Sequence, residues 1–140
     1  MRQSNLTPMV IFSVDQATAA LSDNIRARTS LATELTLAGI SYKELLGSYL
    51  GQTETSFICS IDHYDFVKQV AKLNQQQSIL VIDNERQASL VYVDGTKVAG
   101  RNFLKLGTFK AVPRDIARAQ DAWTYCHALN TYYITTPRRC

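Results

Sequence analysis

The segment Thr55-Ser56-Phe57-Ile58-Cys59-Ser60-Ile61 gives the clearest structural signal in this sequence. Its β-branched and aromatic residues favour a half-buried strand. Asp62 follows directly and suits a helix N-cap, and the next apolar residues repeat at helical spacing as far as Leu73. We therefore predict a strand at 55–61 that leads into a helix, and residues 74–77 end that helix.

A strand and a helix are also predicted ahead of this segment. Residues 8–12 form a short apolar run, and 13–16 has the spacing of a capping box, with Asp15 as a rival cap. Gly39 stands where a helix terminator belongs. These signals predict a strand at 8–12 and a helix at 16–38. The apolar positions at helical spacing are Leu21, Ile25, Ala32 and Leu35.

The order of these elements predicts the fold class. Residues 40–50 can be extended and Gly51-Gln52 can turn the chain, while 78–82 is a continuous apolar run of strand length. From residue 10 to 82 the order is strand, helix, strand, strand, helix, strand, which is the split βαβ arrangement of ferredoxin-like sheets. We predict an α+β, ferredoxin-like α/β sandwich: an antiparallel sheet with two helices on one face.

The remaining sequence predicts further strands. Residues 88–93 form another strand pattern, and Asp94-Gly95 is a good hairpin turn into 96–99. A short polar helix or loop follows Pro113, and an extra C-terminal hairpin has its turn at 128–130. The predicted arms of that hairpin are 123–126 and 132–135.

Composition limits the classes of protein to consider. The 140 residues, 46% of them apolar, match a single domain covering 1–140. Fifteen Lys and Arg against twelve Asp and Glu give a net charge of +3 without a basic run, which argues against nucleic acid as the main partner. Three cysteines without CxxC spacing, no signal-peptide pattern and no apolar run near ~20 residues predict a soluble, cytoplasmic protein away from membranes.

The usual catalytic constellations are missing from the sequence. His63 and His127 are far apart and lack a second ligand at metal spacing, so we expect no metal. Cys59 lies among apolar neighbours, where a buried and inert thiol is the usual outcome. Neither glycine-rich phosphate motif, GxxxxGK[ST] or GxGxxG, is present, and we expect no cofactor.

A more distinctive region lies between Tyr42 and Phe57. It combines Tyr42, Tyr49 and glycines with the carboxylate of Glu54 immediately ahead of an apolar strand. A cationic or aromatic ligand would suit this combination. The ordinary interpretation is that the tyrosines cover the core from an edge strand and that Glu54 is solvated. Residue chemistry leaves both interpretations open.

Three further stretches connect the chain with a known family. In order and spacing over residues 11–135, the chain resembles the bacteriophage S-adenosylmethionine lyases, long called S-adenosylmethionine hydrolases. The stretches are Gly39-Ile40-Ser41-Tyr42 with Gly47-Ser48-Tyr49 and Glu54-Thr55-Ser56-Phe57, then Gln87-Ala88-Ser89-Leu90-Val91-Tyr92-Val93, and finally Gly107-Thr108-Phe109-Lys110-Ala111-Val112-Pro113.

The resemblance implies an assembly and a site. It implies a homotrimer similar to PII-type trimers, with ligands in clefts between subunits and a loop at 43–53 beside them. Glu54 and Tyr42 match the family's active-site glutamate and tyrosine, with Tyr49 as a rival for the tyrosine. Tyr49, Ser48 and Ser56 are the implied substrate-binding residues.

The resemblance also implies an activity. S-adenosylmethionine would be degraded by attack of its own carboxylate, giving 5′-methylthioadenosine and homoserine lactone and helping a phage to evade host restriction. The alternatives are hydrolysis to homoserine and a non-catalytic trimer that binds an adenine nucleotide. A nucleic-acid-binding module with stacking tyrosines is a third class. Its candidates are Tyr92, Tyr125, Tyr132 and Tyr133, which we instead expect to form cross-strand pairs.

Overall fold

The computed structural model describes residues 8–15 and 20–137. Over these residues the chain forms eight strands and three helices. The strands are β1 (Met9–Phe12), β2 (Tyr42–Tyr49), β3 (Gln52–Ser60), β4 (Ser78–Ile82), β5 (Gln87–Tyr92), β6 (Phe103–Val112), β7 (Ala122–Cys126) and β8 (Thr131–Pro137). The helices are α1 (Leu21–Leu37), α2 (Tyr64–Leu73) and α3 (Arg114–Arg118), and a 3₁₀ turn at Ile61–His63 precedes α2.

The eight strands form a closed barrel. Their order is β1-β3-β2-β7-β8-β6-β5-β4, and β4 pairs with β1 to complete the circle. All neighbouring strands are antiparallel. Closure leaves no unpaired sheet edge, and an eight-stranded barrel is just wide enough to be filled by side chains or to hold one small ligand.

Two separate hydrophobic cores result from the alternation of side chains along each strand. The outer core lies between the barrel wall and the helices α1 and α2, and the inner core lies inside the barrel. In β1, for example, Val10 and Phe12 belong to the outer core and Ile11 to the inner core. Buried outer-core side chains include Phe57, Leu35, Ile79 and Val67, and the inner core contains Ile11, Leu45, Ile82, Ala88, Phe109 and Cys126.

The prediction of a ferredoxin-like α/β sandwich is wrong. The predicted order of strands and helices from residue 10 to 82 is present, but the sheet they form does not stay open on one side. β2 pairs with β7 and β4 pairs with β5, so the second half of the chain closes the sheet. The sheet closes because the inner face of the first four strands is apolar and has to be buried. The strands β5 to β8 of the same chain cover it.

The C-terminal hairpin is present but is not an appendage. Its arms are β7 and β8, as the Trp/Tyr-rich pattern predicted. β7 pairs with β2 and β8 pairs with β6, so the hairpin forms the part of the barrel wall between β2 and β6. The residue pattern therefore predicts the hairpin itself, whereas its pairing with β2 and β6 depends on contacts between residues distant in sequence.

Several boundaries differ from the sequence predictions. Helix α1 begins at Leu21, later than the predicted start at residue 16, and residues 16–19 of that prediction lie outside the described residues. The loop expected at 43–53 is instead most of the tight hairpin of β2 and β3. Residues 96–99 form no strand beyond an isolated bridge between Val98 and Arg101.

Other elements agree with the predictions. The strands at 78–82 and 88–93 are found as β4 and β5, and the alternative of a short helix after Pro113 is found as α3. Within the described ranges, no helix has the length and apolar content required to cross a membrane.

Candidate functional site

One end of the barrel gathers polar groups from several strands. The segment after β1, the β2–β3 turn and the start of β7 all meet there. Leu50 and Gly51 make the tight turn with positive φ angles of 51° and 84°. The backbone N–H of Leu50 donates to the carbonyl of Asp121 at 2.8 Å, which fixes the turn against the segment leading into β7.

A cavity of about 900 Å³ lies at this end and extends towards the inner core. This volume lies in the range of small-molecule sites in proteins. Its walls are mostly apolar and aromatic, with a few hydroxyl groups from β2, β3, β7 and β8. The main apolar and aromatic lining residues are Leu80, Leu90, Leu106, Phe109, Trp123 and Tyr133.

Two carboxylates supply the charge of this cavity. Among the described lining residues, Asp15 and Glu54 are the only ones with a charged side chain, and no lysine or arginine lines it. Arg28 neutralises Asp15 from outside the lining: Nε lies 2.8 Å from Oδ1 and a terminal nitrogen lies 2.7 Å from Oδ2. Glu54 is therefore the carboxylate that gives the cavity its net negative charge.

Asp15 is the centre of a network that joins four parts of the chain. Its side chain is 8% exposed. Besides the two bonds from Arg28 on α1, its Oδ2 accepts the backbone N–H of Thr55 on β3 at 3.2 Å. Its own carbonyl accepts a bond of 2.8 Å from the side-chain amide of Gln76, which precedes β4. The network holds the chain after β1 against β3, α1 and the α2–β4 connection.

The hydroxyl of Ser13 completes this network. It donates to the carbonyl of Thr55 at 2.9 Å and accepts the backbone N–H of Asp15 at 3.0 Å. Ser13 and Asp15 therefore bind both polar atoms of the Thr55 backbone, immediately beside Glu54.

The pKa of Glu54 is raised above the ordinary glutamate value of 4.5. Desolvation by the surrounding protein is the main cause, and the negative charge of Asp15 adds to it. The Ser13 side chain and the charge of Arg28 act in the opposite direction. By its accessible surface Glu54 is nevertheless an exposed residue at the mouth of the cavity. A ligand can therefore reach its carboxylate and replace the water around it.

This arrangement suits a cation that carries apolar groups. A positive ligand charge would stabilise the partly desolvated Glu54 carboxylate. Aromatic rings at the cavity wall add a favourable environment for a sulfonium or ammonium group. The ring of Tyr133 stacks on Phe109 at 4.9 Å inside the barrel, so the wall beneath the site is rigidly packed.

A comparison with known protein families agrees with a site for such a ligand. The family model of the S-adenosylmethionine lyase family matches residues 10–136. The chain belongs to the S-adenosylmethionine lyase family. The match includes all eight strands except Met9 of β1 and Pro137 of β8, and every residue that lines the cavity of this family member. No curated protein matches the sequence.

Four of the five residues expected to act on the substrate lie at this end of the barrel. Glu54, Tyr49 and Ser48 line the large cavity of this S-adenosylmethionine lyase family member. Ser56 lines an adjoining pocket of about 290 Å³, and Glu54 lies at the border of the two. Tyr49 and Glu54 share the inner face because Gly47 pairs with Glu54 and Tyr49 lies two residues further along β2.

Tyr42 lies elsewhere in the fold. It pairs with Cys59, five residues along β3 from Glu54, which corresponds to about 16 Å of strand. The odd spacing places Tyr42 on the opposite, helix-covered face. Its ring packs against Phe57 at 5.5 Å beside the outer core. Within one chain, Tyr42 and Glu54 do not meet.

Sequence reasoning missed the groups that surround Glu54. The sequence suggests Asp15 only as a helix cap and gives no reason to place Arg28 at a site. They lie 13 residues apart in sequence, and Asp15 bonds to Thr55 across 40 residues. No local pattern indicates such contacts. Trp123 was assigned to a hairpin arm, and its position on the cavity wall depends on the pairing of β7 with β2.

Cys59 and two of the four tyrosines lie as predicted, whereas Tyr92 pairs with Ser78 and Tyr133 lines the cavity. Cys59 is buried, as predicted, and desolvation raises its pKa to about 11, which disfavours the reactive thiolate. Tyr125 and Tyr132 face each other across β7 and β8 at 4.5 Å, which confirms the predicted cross-strand pair. In the described part of the chain, no three His, Cys, Asp or Glu side chains are grouped to hold a metal ion.

Proposed function

We propose that this protein degrades S-adenosylmethionine by intramolecular attack of the substrate's own carboxylate. The observation that carries the proposal is the cavity with one uncompensated carboxylate, Glu54, and no lysine or arginine among its described lining residues. S-adenosylmethionine is a cation with large apolar parts, and the family match independently names it.

The proposed reaction needs no nucleophile from the protein. A carboxylate oxygen of the substrate forms a bond to its γ-carbon, while the bond from that carbon to the sulfonium breaks and its electron pair goes to sulfur. The products are homoserine lactone and neutral 5′-methylthioadenosine. Folding the methionine chain into a reactive conformation supplies the main catalytic effect, up to ~7–11 kcal/mol in ideal cases.

We assign Glu54 the role of binding a positively charged group of the ligand. In this proposal its carboxylate binds the α-ammonium group and orients the substrate carboxylate for attack. Binding the sulfonium more closely would favour the ground state, because that charge disappears as the bond breaks. Tyr49 lies on the same face of the sheet as Glu54, and we assign it to the sulfonium side, with Ser48 and Ser56 as polar contacts.

Tyr42 enters the proposal only through a neighbouring subunit. Because Tyr42 and Glu54 occupy opposite faces of the sheet, a shared site requires Tyr42 from another chain. We therefore propose a homotrimer with sites between subunits, in which Tyr42 of one chain completes the site of the next. Light scattering tests the trimer. Comparing Tyr42→Phe with Tyr49→Phe for S-adenosylmethionine turnover tests which tyrosine acts.

Hydrolysis is the alternative chemistry at the same site. Running the reaction in ¹⁸O-labelled water and analysing the first product separates the two. The proposed reaction gives unlabelled lactone as the first product, whereas direct hydrolysis gives homoserine with one labelled oxygen. Binding of adenine nucleotides without any turnover would instead support the non-catalytic trimer.

The role of Glu54 is tested by Glu54→Gln. Loss of a charge-assisted contact of about 1.5–3 kcal/mol lowers kcat/KM by about 10- to 100-fold. Glu34→Gln is the matched control because Glu34 is exposed on α1 and does not line the cavity. Full activity of Glu54→Gln would overturn the assignment of this residue.

In a cell, the proposed reaction would remove the methyl donor. We propose that it acts in the cytoplasm of a phage-infected bacterium, where loss of S-adenosylmethionine starves restriction systems that need it. A host strain whose restriction requires this cofactor should therefore restrict phage less when it expresses the protein.

A further inference from the structure

We propose that Asp15 and Arg28 form a positioning pair, which fixes the direction of the Glu54 side chain and neutralises its own charge beside it, so that Glu54 stays the charged group of the cavity. This inference rests on the proposed role of Glu54 in substrate binding. Neither residue was expected to act at the site from the sequence, and Arg28 lies outside the lining of the cavity.

The first argument is geometric. Glu54 is followed by Thr55, whose backbone is fixed on both polar atoms. Its N–H donates to the carboxylate of Asp15, and its carbonyl accepts from the hydroxyl of Ser13. Asp15 is itself fixed by two parallel bonds from Arg28 at 2.8 and 2.7 Å. Bidentate pairs of this kind add geometric specificity as well as energy. The direction of Glu54 therefore depends on the pair.

The second argument is electrostatic. Asp15 raises and Arg28 lowers the pKa of Glu54, so the two charges act on it in opposite directions. Two charged groups act on Glu54: Asp15, which follows β1, and Arg28 on α1. Arg28 is in turn influenced by Glu44 on β2. The tyrosines Tyr49 and Tyr133 are the titratable lining residues of the remaining walls. As a pair, Asp15 and Arg28 leave Glu54 as the uncompensated charge.

A second ion pair on the same helix provides the contrast. Arg26 and Asp23 approach to only 3.7 Å, and their side chains are 81% and 62% exposed, whereas those of Arg28 and Asp15 are 24% and 8% exposed. Exposed pairs contribute little to stability or orientation. Arg26→Gln is therefore a matched control for Arg28→Gln.

The direct test is the titration of the Glu54 carboxyl group by NMR of ¹³C-labelled protein, assigned with Glu54→Gln. Asp15→Asn removes a neighbouring negative charge, so the pKa of Glu54 should fall. Arg28→Gln removes a positive charge, so the pKa of Glu54 should rise. Arg26→Gln should leave it unchanged. Unchanged values in both test variants, or shifts in the same direction, would overturn the proposal.

Enzyme kinetics add a readout for orientation. The acid limb of the pH profile of kcat/KM should move to lower pH in Asp15→Asn and to higher pH in Arg28→Gln. Arg28→Lys keeps the charge but loses the bidentate geometry, so its acid limb should stay in place while kcat falls several-fold. A loss of activity with unmoved pH profiles in all variants would mean a merely structural pair.

The two proposals fail in distinguishable ways. A wild-type protein that does not convert S-adenosylmethionine contradicts the proposed function, while the NMR titration still decides the role of the pair. If Asp15→Asn does not fold, the two Arg28 variants still test the proposal. We expect the pKa of Glu54 to be raised in Arg28→Gln and unchanged in Arg28→Lys. Equal titrations in these two variants would overturn the proposal.

Discussion

The two halves of the barrel wall are built differently. Strands β4, β1 and β3 carry α1 and α2 on their outer face, where Val10, Phe57 and Ile79 are buried, and the adjacent β2 contributes the partly buried Tyr42. Of the other strands, β7 and β8 contact the short α3, and β5 reaches the margin of the outer core through Val91. The first half has a core of its own outside the barrel, whereas the second half depends on the inner core that the halves share.

This difference separates stability from function. The helix-covered half supplies Glu54 and the Asp15–Arg28 pair, held by packing on two sides. The second half supplies Phe109 and Tyr133, which form much of the opposite cavity wall. Trp123 lies at the rim, with its ring against Arg118 and Tyr132 on the outer face. A site made from both halves forms only when the barrel closes. The following predictions test this division.

The largest expected effect is at the junction of β6 and β8. Gly107 has a φ of 140°, and an added Cβ would lie 1.8 Å from the carbonyl oxygen of Thr136 on β8. Gly107→Ala must therefore move the backbone, and we expect a loss of about 3 kcal/mol or more in the free energy of unfolding. Urea unfolding monitored by circular dichroism measures it.

Gly47→Ala is the matched control for this substitution. Gly47 also lies in a strand of the wall, but its φ is not positive and an added Cβ meets its nearest neighbour, the carbonyl oxygen of Glu54, at an ordinary 3.7 Å. Its stability should change by less than about 1 kcal/mol. Equal losses in the two variants would show that the β6–β8 junction is not special.

The next effect compares the two cores within one strand. Ile79 is 2% exposed in the outer core, while the adjacent Leu80 points to the opposite face and lines the cavity. Both lose the same number of carbon atoms on change to alanine. We expect about 3–4 kcal/mol for Ile79→Ala and about 1–2 kcal/mol for Leu80→Ala, because Leu80 already borders empty space. An equal or larger loss at Leu80 would indicate that the inner core carries more of the stability.

The smallest effect concerns Glu54 and pH. Its pKa in the folded protein is raised above 4.5, so the folded state binds the proton more tightly than the unfolded state. This contribution to stability is present below about pH 4.5 and is lost as the pH rises through the folded pKa. Glu54→Gln should therefore raise Tm relative to wild type at pH 7 but not at pH 4. A Tm difference that does not depend on pH would contradict the raised pKa.

The first half of the fold was largely predictable from the sequence, since its signals are local. The apolar spacing in α2 and the strand patterns of β3 and β4 follow from neighbouring residues. Closure was not predictable in the same way, because the pairing of β2 with β7 joins residues such as Gly47 and Thr124 that are remote in sequence. The same patterns suit an open sandwich and a closed barrel.

The candidate site was predictable only in part. The carboxylate of Glu54 ahead of an apolar strand, together with the tyrosines, suits a cationic or aromatic ligand, and Glu54 and Tyr49 line the cavity. Tyr42 could not be separated from Tyr49 by residue type, although strand register places it on the other face. The Asp15–Arg28 pair forms where the segment after β1 meets α1. The spacing of residues in the sequence does not predict that contact.

The central claim is that the cavity bearing Glu54 turns over S-adenosylmethionine. The most direct measurement is incubation of the folded protein with S-adenosylmethionine, followed by chromatographic detection of both products, with Glu54→Gln in parallel. We predict 5′-methylthioadenosine and homoserine lactone in equal amounts from the wild type, and at least tenfold slower formation by the variant. Intact S-adenosylmethionine after incubation with folded wild-type protein would contradict the claim.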